Sequence, residues 1–330
     1  MPTLYVQEQG VTVGKRAEQV IITKNGQLLE SLPLNKIDQV VVMGRGVQLS
    51  TALLVDLIGR GIPVLLTNQH GSRHYATLSA GPSRYAALRL AQAQRIANEA
   101  WAMGFAKALV RAKLTNQRNR LIATGWPAAL AASAQIAAAA VAVDQATTLD
   151  MVRGYEGAGA AAYFGAWRAT YQASWGFQGR EFYPPPDPLN ALLSFGYTLL
   201  LNDVISAVQL TGLDPYMGVF HVIEAGRPSL ALDLMEEFRP LVIDRLVLEW
   251  LQEGSLKREQ FERPAQRPEA IYLNAQGRAL VVARYEAMMA APTRLASGEQ
   301  TALRRAVLLQ VQAVARVIRR EQANYQGYTP

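Results

Sequence analysis

An imidazole and several carboxylates crowd one short apolar stretch of this 330-residue chain. In "GVFHVIEAGRPSLALDLMEEFRP", residues 218–240, one of only three histidines, His221, stands between Phe220 and Val222. Past the turn Gly226-Arg227-Pro228, the pattern predicts a helix from Ser229 with Asp233, Glu236 and Glu237 at i, i+3 and i+4, so Asp233 shares a face with the other two. Reversal of the chain at the turn lets the imidazole fold back over that face. Two carboxylates and one imidazole form an oxygen and nitrogen set for a divalent cation, suited to manganese or magnesium better than to zinc. Read alone, the segment equally fits a hydrogen-bonded core histidine beside a solvated acidic stripe.

A third ligand would come from another helix. "MVRGYEGAGAAAYFGAW" sets Glu156 among Gly154, Gly157, Gly159 and a run of alanines. A carboxylate on so apolar a face is costly unless paired or coordinated, and small residues let a neighbouring helix come close enough to share an ion. The plainer alternative is a rim glutamate on a tightly packed helix. Other candidate motifs are weaker. Gly44-Arg45-Gly46 has two glycines of a dinucleotide loop but Leu49 where the third would stand, which favours an ordinary strand-to-helix turn. His70 and His74 are four apart with a glycine between them and no carboxylate nearby, so they read as surface loop residues.

The elements that must position these groups fall into two domains of an α+β chain. Up to residue 80, short β-branched runs punctuated by turns predict a small, mostly β domain, with Asn25-Gly26 as a hairpin turn and one helix capped by Ser50. Residues 81–84 read as a linker. From residue 85 to 330 the apolar residues recur at helical spacing, which predicts a larger all-α domain. Helices are expected at 83–122, 128–143, 147–173, 189–211, 228–252, 278–290 and 298–323. The last has a capping-box spacing at Ser297 and Gln300. "WGFQGREFYPPPDPLN" must be a loop, since its consecutive prolines cannot donate backbone hydrogen bonds. "AALAASAQIAAAAVAV", 128–143, is too short and too alanine-rich for a membrane span and reads as a buried helix packed through small side chains. No secretory signal pattern opens the sequence, so a cytoplasmic protein without a membrane partner is expected.

Composition narrows the chemistry. With no cysteine, thiol nucleophiles, disulfides, thiolate zinc sites and iron-sulfur clusters are excluded, so any metal must use oxygen and imidazole. Thirty-three Lys and Arg against 26 acids give a formal charge of +7. The excess is concentrated. Arg84, Arg89, Arg95, Lys107, Arg111, Lys113, Arg118 and Arg120 face Glu99 alone between Pro82 and Trp126, and Arg304, Arg305, Arg316, Arg319 and Arg320 crowd the last helix. Two basic helices suit a phosphate backbone, and a nucleic acid is the expected partner.

Four segments carry a family resemblance: "YEGAGAAAYF" around Glu156, "DPLNALLSFGYTLL" at 187–200, "GLDPYMGVFH" ending at His221, and "RPSLALDLMEEFRPLVID" at 227–244. In that order they resemble the integrase of CRISPR spacer acquisition, a metal-dependent DNA endonuclease, over essentially the whole chain. The resemblance implies a β-sandwich-like N-terminal domain, a helical catalytic domain and a homodimer formed largely through the β domains. It also implies a working complex in which two such dimers flank a dimer of a small CRISPR-associated partner. The implied ligands of Mg2+ or Mn2+ are Glu156, His221 and Glu236, the last a glutamate where aspartate also occurs in the family. Asp233 fills the neighbouring acidic position as a supporting or alternate ligand, and Glu237 is left to the helix surface. Asn190 and Arg239 match motif positions, either as DNA contacts or as braces of the fold, and Arg316, Arg319 and Arg320 are expected on DNA. The implied reaction is attack by the 3′-hydroxyl of a short duplex, a spacer precursor, on a phosphodiester at the repeat boundary of a CRISPR array. With water as nucleophile the same site would act as a nuclease. Two other readings stand beside it: a general metal-dependent repair nuclease, and a non-catalytic nucleic-acid scaffold.

Overall fold

The computed structural model describes residues 3–69, 74–79, 85–181 and 183–330, which divide into two compact units, 1–85 and 86–330. The linker expected at 81–84 lies outside the described residues, as do Arg84 and His70.

Among the described residues the first unit contains eight strands, one α-helix and a 3-10 turn at Leu34–Lys36: β1 Thr3–Val6, β2 Val11–Arg16, β3 Gln19–Lys24, β4 Gln27–Pro33, β5 Gln39–Met43, β6 Gln48–Leu49, α1 Thr51–Gly59, β7 Val64–Thr67 and β8 His74–Leu78. They form two four-stranded sheets, ordered β1-β5-β7-β8 and β4-β3-β2-β6. Alternation in β2 turns Val11 and Val13 inward, where they join Val20 and Ile22 of β3, Val40 and Val42 of β5, and Leu53 and Leu57 of α1 in one core. The Asn25-Gly26 turn joins β3 to β4 as expected, both residues taking positive φ, +50° and +80°. Ser50 caps α1 by accepting the Leu53 N–H. Gly44 and Gly46 cradle a protein side chain: Gln9 donates to Met43 O at 2.8 Å and accepts the Gly46 N–H at 2.9 Å. His74 opens β8 and is not in a loop.

The second unit is built from α2 Ala86–Ile96, α3 Glu99–Thr124, α4 Ala129–Gln145, α5 Leu149–Trp175, α6 Pro188–Thr211, α7 Ser229–Arg239, α8 Arg245–Gln252, α9 Ala275–Ala290 and α10 Leu303–Ile318. Two short ribbons interrupt it, β9 Phe261–Glu262 with β10 Tyr272–Leu273, and β11 Pro292–Arg294 with β12 Gln300–Ala302. α3, α4 and α5 pack together, α7 lies against α3 and α6, and α6 also packs on α10. α6 is long and apolar enough to cross a membrane, but its apolar window is 89% buried by the helices around it, as befits a core helix.

Several expected boundaries shift for local reasons. The helix expected at 83–122 breaks before Asn98, whose side chain accepts the Trp101 N–H and starts α3 afresh. The 228–252 helix changes to a wider π turn at Pro240–Asp244, where Pro240 has no N–H to give. Ser297 and Gln300 form no capping box, because Gly298 at φ +86° turns the β11–β12 ribbon and α10 starts only at Leu303. α4 is buried on one face only: Ile136 and Val143 point inward while Leu130 and Val141 are exposed.

Candidate active site

α7 carries its acids on a buried surface. Asp233, Glu236 and Glu237 are 0%, 4% and 0% exposed, so none belongs to a solvated stripe. Each is satisfied differently. Asp233 takes the loop that precedes the helix: its Oδ2 accepts the N–H groups of Val219 at 2.7 Å and Phe220 at 3.0 Å, and its Oδ1 accepts the His221 N–H at 2.8 Å. The loop can approach so closely because residue 218 is glycine; a Cβ there would overlap the backbone of Ser229 and Leu230. From α5, Arg153 donates to Phe220 O through Nε at 3.0 Å and through its terminal nitrogen at 2.8 Å, which ties the same loop to the helix of Glu156.

This anchoring fixes the imidazole. His221 Nδ1 lies 2.7 Å from Asp233 Oδ1, and a carboxylate only accepts, so Nδ1 carries a proton and Nε2 is the nitrogen left to face the cluster. Nε2 is turned toward Glu236 Oε1, 3.8 Å away. Arg239 reaches the same oxygen at 3.2 Å.

Glu156 joins from α5, through the close approach the small residues allow. Gly159, one turn on, meets Leu114 of α3, and the adjacent Lys113 stands between two carboxylates: its ammonium contacts Glu156 Oε1 and lies 2.5 Å from Glu236 Oε2. Burial opposes charge on Lys113, but Glu236 and Glu156 outweigh it and hold the ammonium above its usual range. Burial likewise works to raise the Glu236 carboxyl, yet Arg239, Lys113 and His221 bring it down to about 2. Among the described residues no three acids or imidazoles stand ready at ligand spacing around one point, and the cation between the glutamates is that of Lys113. The donor set still suits a hard divalent ion: two carboxylates, an imidazole with its tautomer fixed by a carboxylate, and a buried Glu236 Oε2 with no hydrogen bond of good geometry.

A cleft of about 550 Å³ opens beside Glu156 and Lys113. Arg168, Arg180 and Arg239 line it, and Ala160, Ala161, Phe164 and Gly165 of α5 give it a low apolar floor. Tyr197 steadies two of the arginines, with the Arg239 and Arg180 guanidinium carbons 4.5 Å and 5.4 Å from its ring centre.

The structure therefore brings Glu156, His221, Glu236, Asp233 and Arg239 together and corrects other assignments. Glu237 is no surface residue: it accepts the Tyr325 O–H at 2.6 Å and the Tyr328 N–H at 2.7 Å on the far side of α7. Asn190 is fully buried and braces the fold, its amide donating to Gly179 O and Asp187 Oδ2 while its oxygen accepts from Arg180 and Glu181 N–H. It thus holds the loop of Arg180 and has no face for DNA. Arg304 is buried in an ion cluster with Asp203 and Glu286, whereas Arg316, Arg319 and Arg320 are exposed at the end of α10 and line no part of the cleft. Arg89 is spent on Gly212 O, and Lys107 on Asp144 O. Sequence reasoning missed Lys113 as a site residue, though it shares a buried stripe with Phe105, Leu109 and Asn116 at helical spacing, which marks an inward lysine. Arg168 and Arg180 carried no comparable signal.

Comparison with known proteins supplies the family. The family model described as CRISPR associated protein Cas1 matches residues 4–287. The chain is 34% identical to the CRISPR-associated endonuclease Cas1 1 of Thermus thermophilus, over 86% of this chain and 85% of that one. It is 35% identical to a CRISPR-associated exonuclease Cas4/endonuclease Cas1 fusion of Rhodospirillum rubrum over 99% of this chain, which spans 57% of the fusion's length. Among solved structures, a casposase bound to integration product shares the fold, with a TM-score of 0.85 at 18% identity over 100% of this chain and 94% of that one. The acid and imidazole cluster, the arginine cleft and the two-unit α+β architecture thus belong to a member of the Cas1 family.

Proposed function

We propose that this chain is a metal-dependent DNA endonuclease and integrase that inserts short duplexes into a CRISPR array by 3′-hydroxyl attack on a phosphodiester. The observation that carries the reading is the meeting of Glu156, His221 and Glu236 beside a cleft lined by three arginines. The relatives' names agree with it: the Thermus protein is called an endonuclease, and the casposase of the same fold was solved on an integration product.

Glu156, Glu236 and the Nε2 of His221 would hold Mg2+ or Mn2+, which when bound supplies charge neutralisation at the phosphate and a more acidic attacking hydroxyl or water. Asp233 holds a proton on His221 Nδ1, so that Nε2 is the nitrogen a metal would take. Arg168, Arg180 and Arg239 take phosphate oxygens through charge-assisted hydrogen bonds, which position a backbone without reading bases. The low floor of Ala160, Ala161 and Gly165 lets that backbone lie against α5. In strand transfer one phosphodiester forms as another breaks, so no covalent enzyme intermediate and no nucleotide hydrolysis are required. A second copy of this chain would pair through the first unit, whose edge strand β4 exposes Leu28 and Leu29, and a small CRISPR-associated partner would complete the complex.

The test is an integration assay on a supercoiled plasmid bearing a leader and repeat, with Mn2+, a short duplex and the partner. Wild-type protein is expected to insert the duplex at the repeat ends, and E156A, H221A and E236A to lose insertion. Wild-type activity in all three variants would remove the catalytic assignment. Random nicking without insertion would assign a general nuclease instead.

A further inference from the structure

We infer that Lys113 is an exchangeable internal cation: its ammonium holds Glu156 and Glu236 together in the metal-free protein and moves into the arginine cleft when a divalent ion enters. The inference rests on the metal reading above and adds to it a built-in competitor.

The half-buried Glu156 of α5 and the buried Glu236 of α7 repel unless a positive charge stands between them. Lys113 of α3 supplies that charge by touching one oxygen of each. Its seat is incomplete as an ammonium site. Glu236 Oε2 accepts no hydrogen bond of good geometry, Glu236 Oε1 is given to Arg239, and His221 Nε2 faces the cluster without reaching hydrogen-bond distance of Glu236. A single positive charge on Lys113 therefore leaves His221 Nε2 unengaged, whereas a divalent ion can take both carboxylates and that nitrogen. Lys113 also has a route out. It lines the 550 Å³ cleft, and its four-carbon stem can carry the ammonium along that wall without moving α3. There it would join Arg168, Arg180 and Arg239 as a phosphate ligand.

Competition predicts an unusual direction for a mutation in a metal site. In K113M nothing has to be displaced, so Mn2+ alone, titrated calorimetrically into the full chain without DNA, should bind about tenfold or more tightly than to wild type. Its Tm should be lower without metal and rise further with it. Unchanged or weaker Mn2+ binding by folded K113M would overturn the inference and leave the metal reading intact. Failure of wild type and K113M alike to bind Mn2+ would overturn the metal reading itself, and this inference with it. If K113M does not fold, amine acetylation of the wild-type protein decides. Mass spectrometry should show labelling of Lys113 rising several-fold when saturating Mn2+ drives it into the cleft, and labelling that stays flat or falls overturns the proposal.

Discussion

Asp233 Oδ1 lies 2.7 Å from His221 Nδ1 and 2.8 Å from the backbone N–H of the same residue, while Asp233 Oδ2 takes the N–H groups of Val219 and Phe220. A single buried carboxylate thus shapes the loop and sets the imidazole tautomer. In D233N the amide offers one acceptor oxygen where two stood and turns donors toward donors, leaving buried N–H groups unmet at about 1–3 kcal/mol each. D233N is expected to lose several degrees of Tm and about 10–100-fold in strand transfer, the range typical of a group that orients a metal-bound histidine. H221A should abolish strand transfer with a smaller change in Tm. If D233N melts with wild type, Asp233 does not organise the loop.

Glu237 predicts how stability varies with pH. Burial raises its carboxyl to about 8 from an ordinary 4.5, against the lowering effect of the Tyr325 hydroxyl and the Tyr328 N–H. Between those values the folded chain holds a proton that the unfolded chain has lost. This contribution is complete below about pH 4.5 and fades as pH rises to about 8. Asp244, raised to about 6 chiefly by burial, acts in the same direction over a narrower window. Glu236, held at about 2, acts oppositely: its contribution is present above its ordinary 4.5 and is lost as pH falls toward 2. E237Q mimics the protonated acid, so its stability should decline less steeply from pH 6 to 8, by at most about 1.4 kcal/mol per pH unit. Urea unfolding at a series of pH values reads this directly, and parallel curves for E237Q and wild type would exclude Glu237 as the titrating group.

What was legible in the sequence was set by local rules and by spacing. The Asn25-Gly26 hairpin, the Ser50 cap and the proline-rich loop before α6 depend on a few adjacent residues, and all three stand where the sequence puts them. The inward His221 and the glycine-flanked Glu156 were readable because each contradicts its apolar surroundings. The partners of α7 were not. Glu237 looks like helix surface until the 325–328 segment, almost ninety residues on, is seen to cover it. Arg304 reads as one more cation of a basic helix, and only the fold shows Asp203 and Glu286 beside it. Spacing fixes which face a residue shares; it does not say which distant segment covers that face.

The basic residues in and just after α10 should therefore separate into two classes. Arg316, Arg319 and Arg320 are exposed, so the triple reversal to Glu should weaken DNA binding and reduce the slope of log K against log salt by up to about 3 if each meets a phosphate. R304M removes a buried cation and leaves Asp203 with the Tyr285 hydroxyl but without its counter-charge, which should cost about 3–5 kcal/mol of stability. In R304M that still folds, the salt slope should match wild type. Fluorescence anisotropy over a salt series checks both, and a wild-type slope in the triple variant would take the end of α10 out of the DNA footprint.

Three glycines of α5 should likewise differ, although the sequence presents them as one motif. A Cβ at Gly154 or Gly157 meets nothing within 4 Å, whereas a Cβ at Gly159 overlaps the buried Leu114 side chain of α3 and comes 3.7 Å from Ala139 of α4. G154A and G157A remove backbone freedom from the unfolded chain and should be neutral or stabilising by up to about 1 kcal/mol. G159A must displace a packed methyl and should destabilise by about 1–3 kcal/mol. Its effect on activity should exceed its effect on stability, because Leu114 is joined to Lys113 and Gly159 lies one turn from Glu156. Any separation of α3 from α5 opens the gap that both side chains bridge. Thermal unfolding paired with single-turnover strand transfer distinguishes the three variants. Equal losses in all of them would mean that helix propensity, and not the approach of α3, explains the small residues around Glu156.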